Sequence, residues 1–285
     1  RSMEAFNCAI ASLTGISDVR GDVSSSFHTF LNPYANDCPT KLPIDESLRS
    51  HDGEWYALWR GFIETNIDLE EWLARIFTTP EAASPFDAVE LCAAMFTLRC
   101  AAPWLDRPES FTELFTPEQA DAMWEAENVR QYMQKGRHPV NMGRGWQQAG
   151  RILENIIDVA DSDIESGYRG LRMRFGHDGC MMALLALLDA GSWGESTYDL
   201  NRVKDIWQTW RIPMASRLNF VFFRNDAGHV LVKVLLNGEE QHLPMPQHGR
   251  SGCYAWSDFR PYALRRVAAS LSALEVPPPL KPSHE

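Results

Sequence analysis

Residues Leu171-Arg172-Met173-Arg174-Phe175-Gly176-His177-Asp178-Gly179 run directly into an unbroken apolar stretch, Cys180 to Leu188. A short run bounded by Gly170 and Gly176 reads as a buried strand feeding a helix. Residues 171 to 175 are therefore expected to form an interior strand of a mainly parallel sheet, with His177 and Asp178 at its carboxyl end. In α/β proteins that end of a strand is where ligands and catalytic groups gather. An imidazole can donate hydrogen bonds to a phosphate oxygen, and a neighbouring carboxyl group can protonate a leaving alcohol. The helix that starts there aims its first amides and its positive dipole end at the same spot, which suits an anion.

The 285 residues suffice for one large α/β domain or for two lobes sharing a core. A net charge of −11 opposes broad nucleic-acid binding, which depends on phosphate neutralisation by Lys and Arg. A local basic pocket inside an acidic protein can still take an anionic substrate. The six cysteines form no Cys-x-x-Cys pair, so no zinc knuckle or redox motif is expected. Walker-type and Gly-x-Gly-x-x-Gly loops are missing from the sequence, as is Gly-x-Ser-x-Gly. Neither a cofactor nor a metal is expected. No apolar stretch reaches the ~20 residues of a membrane-spanning helix. The chain opens at Arg1, and Met3-Glu4-Ala5-Phe6 reads as mid-helix, so a segment is expected to have been cut or processed upstream.

Residues 2 to 14 carry Met3, Phe6, Ile10 and Leu13 at helical spacing, and a polar loop follows from Gly15 to about Pro43. From Glu46 to Gly136 the pattern is almost wholly helical. Trp55, Leu58, Trp59, Phe62 and Ile63 mark one buried face, which the Trp72 region continues; both read as core. Thr116-Pro117-Glu118 supplies an N-cap with Pro at the first helical position, and Gly136 stops that helix. Helix returns from about Gly143 to Ala160. Leu218 to Phe223 is a β run, and Asn237-Gly238 between Val230–Leu236 and Gln241–Pro244 signals a hairpin. The Pro-rich tail from Pro277 to Glu285 reads as disordered or as an edge extension. The resulting division is an α/β core over 1–45 and 140–270, a helical cap over 46–139, and a flexible tail over 271–285.

On local features alone, His177-Asp178 could equally be a histidine held by a backbone carbonyl and an aspartate capping the next helix. Lys135, Arg137 and Arg144 cluster on a connection between helices and could line a polyanion pocket, but a solvated loop is the preferred reading. Arg137-His138-Pro139 and Gln247-His248-Gly249-Arg250 echo a phosphatase nucleophile motif. The first has Pro where Gly is needed, the second Gln where Arg is needed, and neither follows an apolar strand. Both read as surface loops.

Several segments weigh more together than His-Asp does alone. They are Ser2-Met3-Glu4-Ala5-Phe6, Arg174-Phe175-Gly176-His177-Asp178-Gly179 within Leu171 to Leu188, and Pro213-Met214-Ala215. They continue with Val221-Phe222-Phe223-Arg224, Val232-Lys233-Val234-Leu235-Leu236-Asn237-Gly238 and Tyr254-Ala255-Trp256-Ser257-Asp258-Phe259. Occurring in this order, they make the chain resemble the histidine acid phosphatase family, in particular its bacterial branch near the multiple inositol-polyphosphate phosphatases.

The resemblance implies a partial histidine-phosphatase-like α/β/α sandwich with a large helical cap, and a phosphohistidine mechanism. It makes His177 the phosphate-binding histidine and Asp178 the proton donor to the leaving alcohol. The family's nucleophile sits in an Arg-His-Gly-x-Arg motif ahead of the Ser-Met-x-x-Phe helix, and this sequence contains no such motif. The chain is therefore expected to be the larger, C-terminal part of a phosphomonoester hydrolase and inactive alone. The alternative is a shortened, non-catalytic relative that binds phosphate or serves as a scaffold; a helical interaction module built on the Trp-rich block is a third reading. The implied partner is a phosphorylated small molecule, an inositol phosphate among the candidates, and the family suggests a periplasmic or secreted location. The inositol-phosphate phosphatases more often carry His-Ala-Glu where this chain has His-Asp-Gly.

Overall fold

The computed structural model describes residues 50–51, 53–104, 109–141, 145–249 and 252–272. The helix expected over 2–14, the loop to Pro43 and the Pro-rich tail lie outside these residues.

The helical block opens with α1 (Glu54–Asn66), which buries Trp55, Trp59, Phe62 and Ile63 at the spacing of one helix face. Short helices α2 (Leu69–Ala74) and α3 (Pro80–Ala83) lead into α4 (Ala88–Ala101). Asp87 caps α4 by accepting the amides of Val89 and Glu90 at 3.0 and 3.1 Å. A turn of helix, α5 (Glu109–Thr112), precedes α6 (Pro117–Lys135). The start of α6 is a reciprocal capping box. Gln119 N–H donates to Thr116 Oγ1, and Thr116 N–H donates to Gln119 Oε1, both at 3.1 Å. Gly136 follows α6 as its cap, as expected. The Trp-rich faces are core: Trp72 is fully buried, with Trp55 and Trp59 nearly so.

After the 3₁₀ turn Gly145–Ala149 come α7 (Gly150–Ser166), α8 (Asp178–Leu187) and the single turn α9 (Val203–Ile206). Four strands then form one sheet: β1 (Leu218–Arg224), β2 (Val230–Leu236), β3 (Glu239–Glu240) and β4 (Cys253–Ala255). β1 pairs with β2 from Leu218↔Leu236 to Arg224↔Val230. β3 and β4 both pair with the far side of β2. The hairpin after β2 turns at Asn237 and Gly238, whose φ values of 52° and 93° match a turn with both central residues left-handed. The final helix, α10 (Trp256–Ser272), leaves β4 directly and packs on β2 and α7. Phe220 meets Phe259, and Phe222 meets Trp256, edge to face across the sheet–helix seam. One continuous apolar core joins the helical block, α7, α8, α10 and the inner face of the sheet.

The architecture is α/β with a large helical block, as expected, but the sheet and the segment 171–175 differ from expectation, and the return strand of the hairpin is β3, Glu239–Glu240, rather than Gln241–Pro244. The sheet is antiparallel among the described residues, not mainly parallel. Residues 171 to 175 are not a strand: 171–177 belong to no helix or ladder, and Leu171 and Met173 are exposed. Side-chain chemistry explains the second difference. α7 ends at Gly167, whose φ of 70° lets the chain reverse. The returning segment then ties its two arginines to α7, Arg172 to Asp163 and Arg174 to Asn155.

Candidate functional site

His177 and Asp178 sit where this returning segment enters α8. Arg174 holds the approach. Its Nε and Nη2 donate to Asn155 Oδ1 at 2.9 and 2.8 Å, and burial pushes its pKa down. Arg172 lies 4.3 Å from the centre of the Tyr168 ring and donates to both oxygens of Asp163 at 3.1 and 2.8 Å. That charge-assisted pair holds the Asp163 carboxyl below the usual carboxylate range.

His177 is the N-cap residue of α8, with extended φ and ψ of −110° and 156° and no side-chain bond to the helix. Its carbonyl accepts the amide of Cys180 at 3.1 Å and faces that of Met181 at 3.4 Å. Asp178 occupies the first helical position, and its Oδ1 accepts the Gly179 amide at 2.7 Å. Both side chains are exposed, whereas Gly179 and Cys180 behind them are buried. The pair thus stands in solvent at the positive end of a buried helix. An imidazole donor and a carboxyl group at the positive end of a helix dipole can bind an oxyanion and deliver a proton.

The opposite end of α8 holds a polar network whose members lie far apart in sequence. Arg137 pairs with Asp189 Oδ1 and donates to Ala186 O at 3.2 Å. Arg266 Nε donates to Leu187 O at 2.6 Å, and Tyr262 Oη donates to Leu188 O at 2.7 Å. Both guanidinium carbons lie over the Trp146 ring, 5.3 and 5.1 Å from its centre. Burial lowers the Arg137 pKa, and burial with the Asp189 charge raises that of Tyr262.

Lys135 and Arg137, two of the three basic residues considered for a polyanion pocket, point to different partners. Lys135 bonds Gln131 one turn back on α6, Arg137 turns inward to Asp189, and Arg144 lies outside the described residues. The surface-loop reading of Arg137-His138-Pro139 is overturned at its centre, because His138 is only 2% exposed. Its Nδ1 accepts the Val140 amide at 3.0 Å, and burial pushes its pKa down to about 4. Gln247, His248 and Gly249 are exposed, as expected. Arg266, Tyr262 and Asp189 carry no local sequence signal, since an arginine on a late helix gives no hint of a carbonyl 79 positions earlier.

No cluster of three or more His, Cys, Asp or Glu side chains able to hold a metal ion occurs among the described residues. None of the helices described there is long and apolar enough to cross a membrane.

A family model described as "Histidine phosphatase superfamily (branch 2)" matches residues 28–237. The match takes in His177 and Asp178, β1 and β2, while the Ser2–Phe6 and Tyr254–Phe259 segments fall outside it. No curated protein matches the chain.

Proposed function

The chain belongs to the histidine phosphatase superfamily, branch 2, and from that premise we propose that it is the phosphate-binding and proton-donating part of a phosphomonoester hydrolase. The substrate is a phosphorylated small molecule. His177 donates a hydrogen bond to a non-bridging phosphate oxygen, and the amides at the start of α8 add to the attraction. Asp178, protonated, delivers its proton to the ester oxygen as the phosphorus–oxygen bond breaks, so the alcohol leaves neutral. Phosphorus passes to a histidine of the Arg-His-Gly-x-Arg type, and water later releases inorganic phosphate. The present sequence holds no such motif, so its own residues bind and protonate but do not attack. An inositol phosphate fits the need for a poor leaving group that a proton donor assists.

The observation that supports this reading best is the placement of an exposed imidazole and an adjacent carboxyl on the first turn of a ten-residue buried helix, inside the matched family region. A second reading, a phosphate-binding relative without catalysis, draws on the segment 171–177, which enters the site without a ladder. Titration with inorganic phosphate tests what both readings share. The His177 ring signals should shift saturably in NMR spectra, and the binding should be lost in His177→Asn. A ring that ignores phosphate removes the site.

A further inference from the structure

From Cys180 to Leu188, α8 and its cap residue carry only apolar or thiol side chains, and all but Met181 are buried. Burial drives such a helix inward strongly, yet apolar contact is non-directional, and a helix apolar on every side has no polar stripe to set its rotation. At the end that carries the site, Arg174 ties the incoming segment to Asn155 on α7, but the two site residues add no tie of their own. Among the described residues, neither His177 nor Asp178 makes a side-chain bond to another element; the Asp178 carboxylate bonds only the next amide.

A second, larger set of directional bonds lies at the other end. The carbonyls of Ala186, Leu187 and Leu188 each receive a donor from a different side chain: Arg137, Arg266 and Tyr262. Asp189, just past the helix and left-handed at φ 52°, gathers the same three groups. Its Oδ1 pairs with Arg137, and its Oδ2 lies 3.4 Å from both Arg266 Nη2 and Tyr262 Oη. Trp146 backs both guanidiniums. Arg137 comes from the loop after α6, whereas Tyr262 and Arg266 come from α10, so the bonds tie α8 to the helical block and to the sheet-packed helix together. Two cations at the negative end of the helix also complement its dipole.

We propose that Arg266, with Tyr262 and Arg137, is a positioning device. It fixes the axial position and rotation of α8 and, through about 15 Å of rigid helix, the placement of His177 and Asp178. This rests on the reading of those two residues as the phosphate site. A misplacement of about 1 Å is enough to matter at such a site.

The test compares wild type with Arg266→Gln and Tyr262→Phe, and with Ile63→Val as a control for lost stability. Ile63 is fully buried on α1, which packs on α4 and α6. The first readout is the inorganic-phosphate concentration that half-saturates the His177 ring shift. It should rise about tenfold in Arg266→Gln, less in Tyr262→Phe, and not at all in Ile63→Val. The second readout needs no phosphate: amide exchange at Cys180 and Met181, whose N–H groups face the His177 carbonyl. It should quicken about tenfold more in Arg266→Gln than in the control. Wild-type protein blind to phosphate would remove the site reading alone, leaving exchange to decide the positioning role. Unchanged exchange at Cys180 and Met181, or a control that loses phosphate affinity equally, overturns the proposal. Should Arg266→Gln fail to fold, Tyr262→Phe, which keeps the ring volume, decides on both readouts.

Discussion

Arg174 closes two hydrogen bonds on the Asn155 side chain, at 2.9 and 2.8 Å, three residues ahead of His177. One amide oxygen on α7 thereby holds a half-buried guanidinium and, with it, the strand-like segment that enters the site. Removing that acceptor leaves a charge in a place where burial already disfavours it. Asn155→Ala should cost about 1–3 kcal/mol, read as a lower urea midpoint with unchanged slope. An Asn155→Ala chain as stable as wild type would show that the pair adds nothing to holding residues 171–177 on α7.

His138 should make the protein acid-sensitive. Its pKa is about 4 in the folded chain, against 6.5 for the ordinary imidazole. Above pH 6.5 both folded and unfolded chains hold it neutral, and stability is complete. Below that, the unfolded chain takes up a proton that the folded chain refuses, so stability falls until about pH 4. The loss is on the order of 2–3 kcal/mol. Asn at 138 can still accept the Val140 amide through its side-chain oxygen, so His138→Asn should flatten this portion of the profile. Urea unfolding of both chains at several pH values between 7.5 and 4 checks it; an equal acid loss in the two would assign the effect elsewhere.

The 285-residue chain alone should hydrolyse p-nitrophenyl phosphate no faster than a histidine-free control protein. On the proposed reading the chain's own residues bind and protonate, and the covalent route needs a nucleophilic imidazole of the Arg-His-Gly-x-Arg type. Turnover at an enzyme-like rate, lost in His177→Ala, would mean that one of the eight histidines of the sequence is the nucleophile after all.

Much of this architecture was legible because local chemistry and tertiary context agree. The Thr116–Gln119 box, the Gly136 stop, the Asn237-Gly238 hairpin and the buried face of Trp55, Trp59, Phe62 and Ile63 all behave as their spacing dictates. The run 171–175 misled for a physical reason. Its alternation of apolar and basic residues between glycines suits a strand, but a strand exists only where a neighbouring backbone offers a ladder. Here Asp163 and Asn155 offer side-chain partners instead. The buried His138 was hidden because a histidine between Arg137 and Pro139 reads as surface, and the Arg137–Asp189–Arg266 network because the carbonyl partners of its arginines lie 49 and 79 positions away. His177 and Asp178, by contrast, stand at the start of α8, where the sequence puts a turn into a helix.

The central claim, that Asp178 is the proton donor of a phosphate site shared with His177, meets its most direct test in a chain supplied with an Arg-His-Gly-x-Arg segment ahead of Arg1. Wild type and Asp178→Asn are compared on p-nitrophenyl phosphate and on an alkyl or inositol phosphate. An activated aryl ester needs little protonation of its leaving oxygen, whereas an alkyl ester needs it strongly. General-acid assistance is worth about 10²–10⁴-fold, so the alkyl rate should fall by that order while the aryl rate changes far less. Equal loss on both esters would contradict the assignment and leave Asp178 as a carboxylate that holds the Gly179 amide at the start of α8.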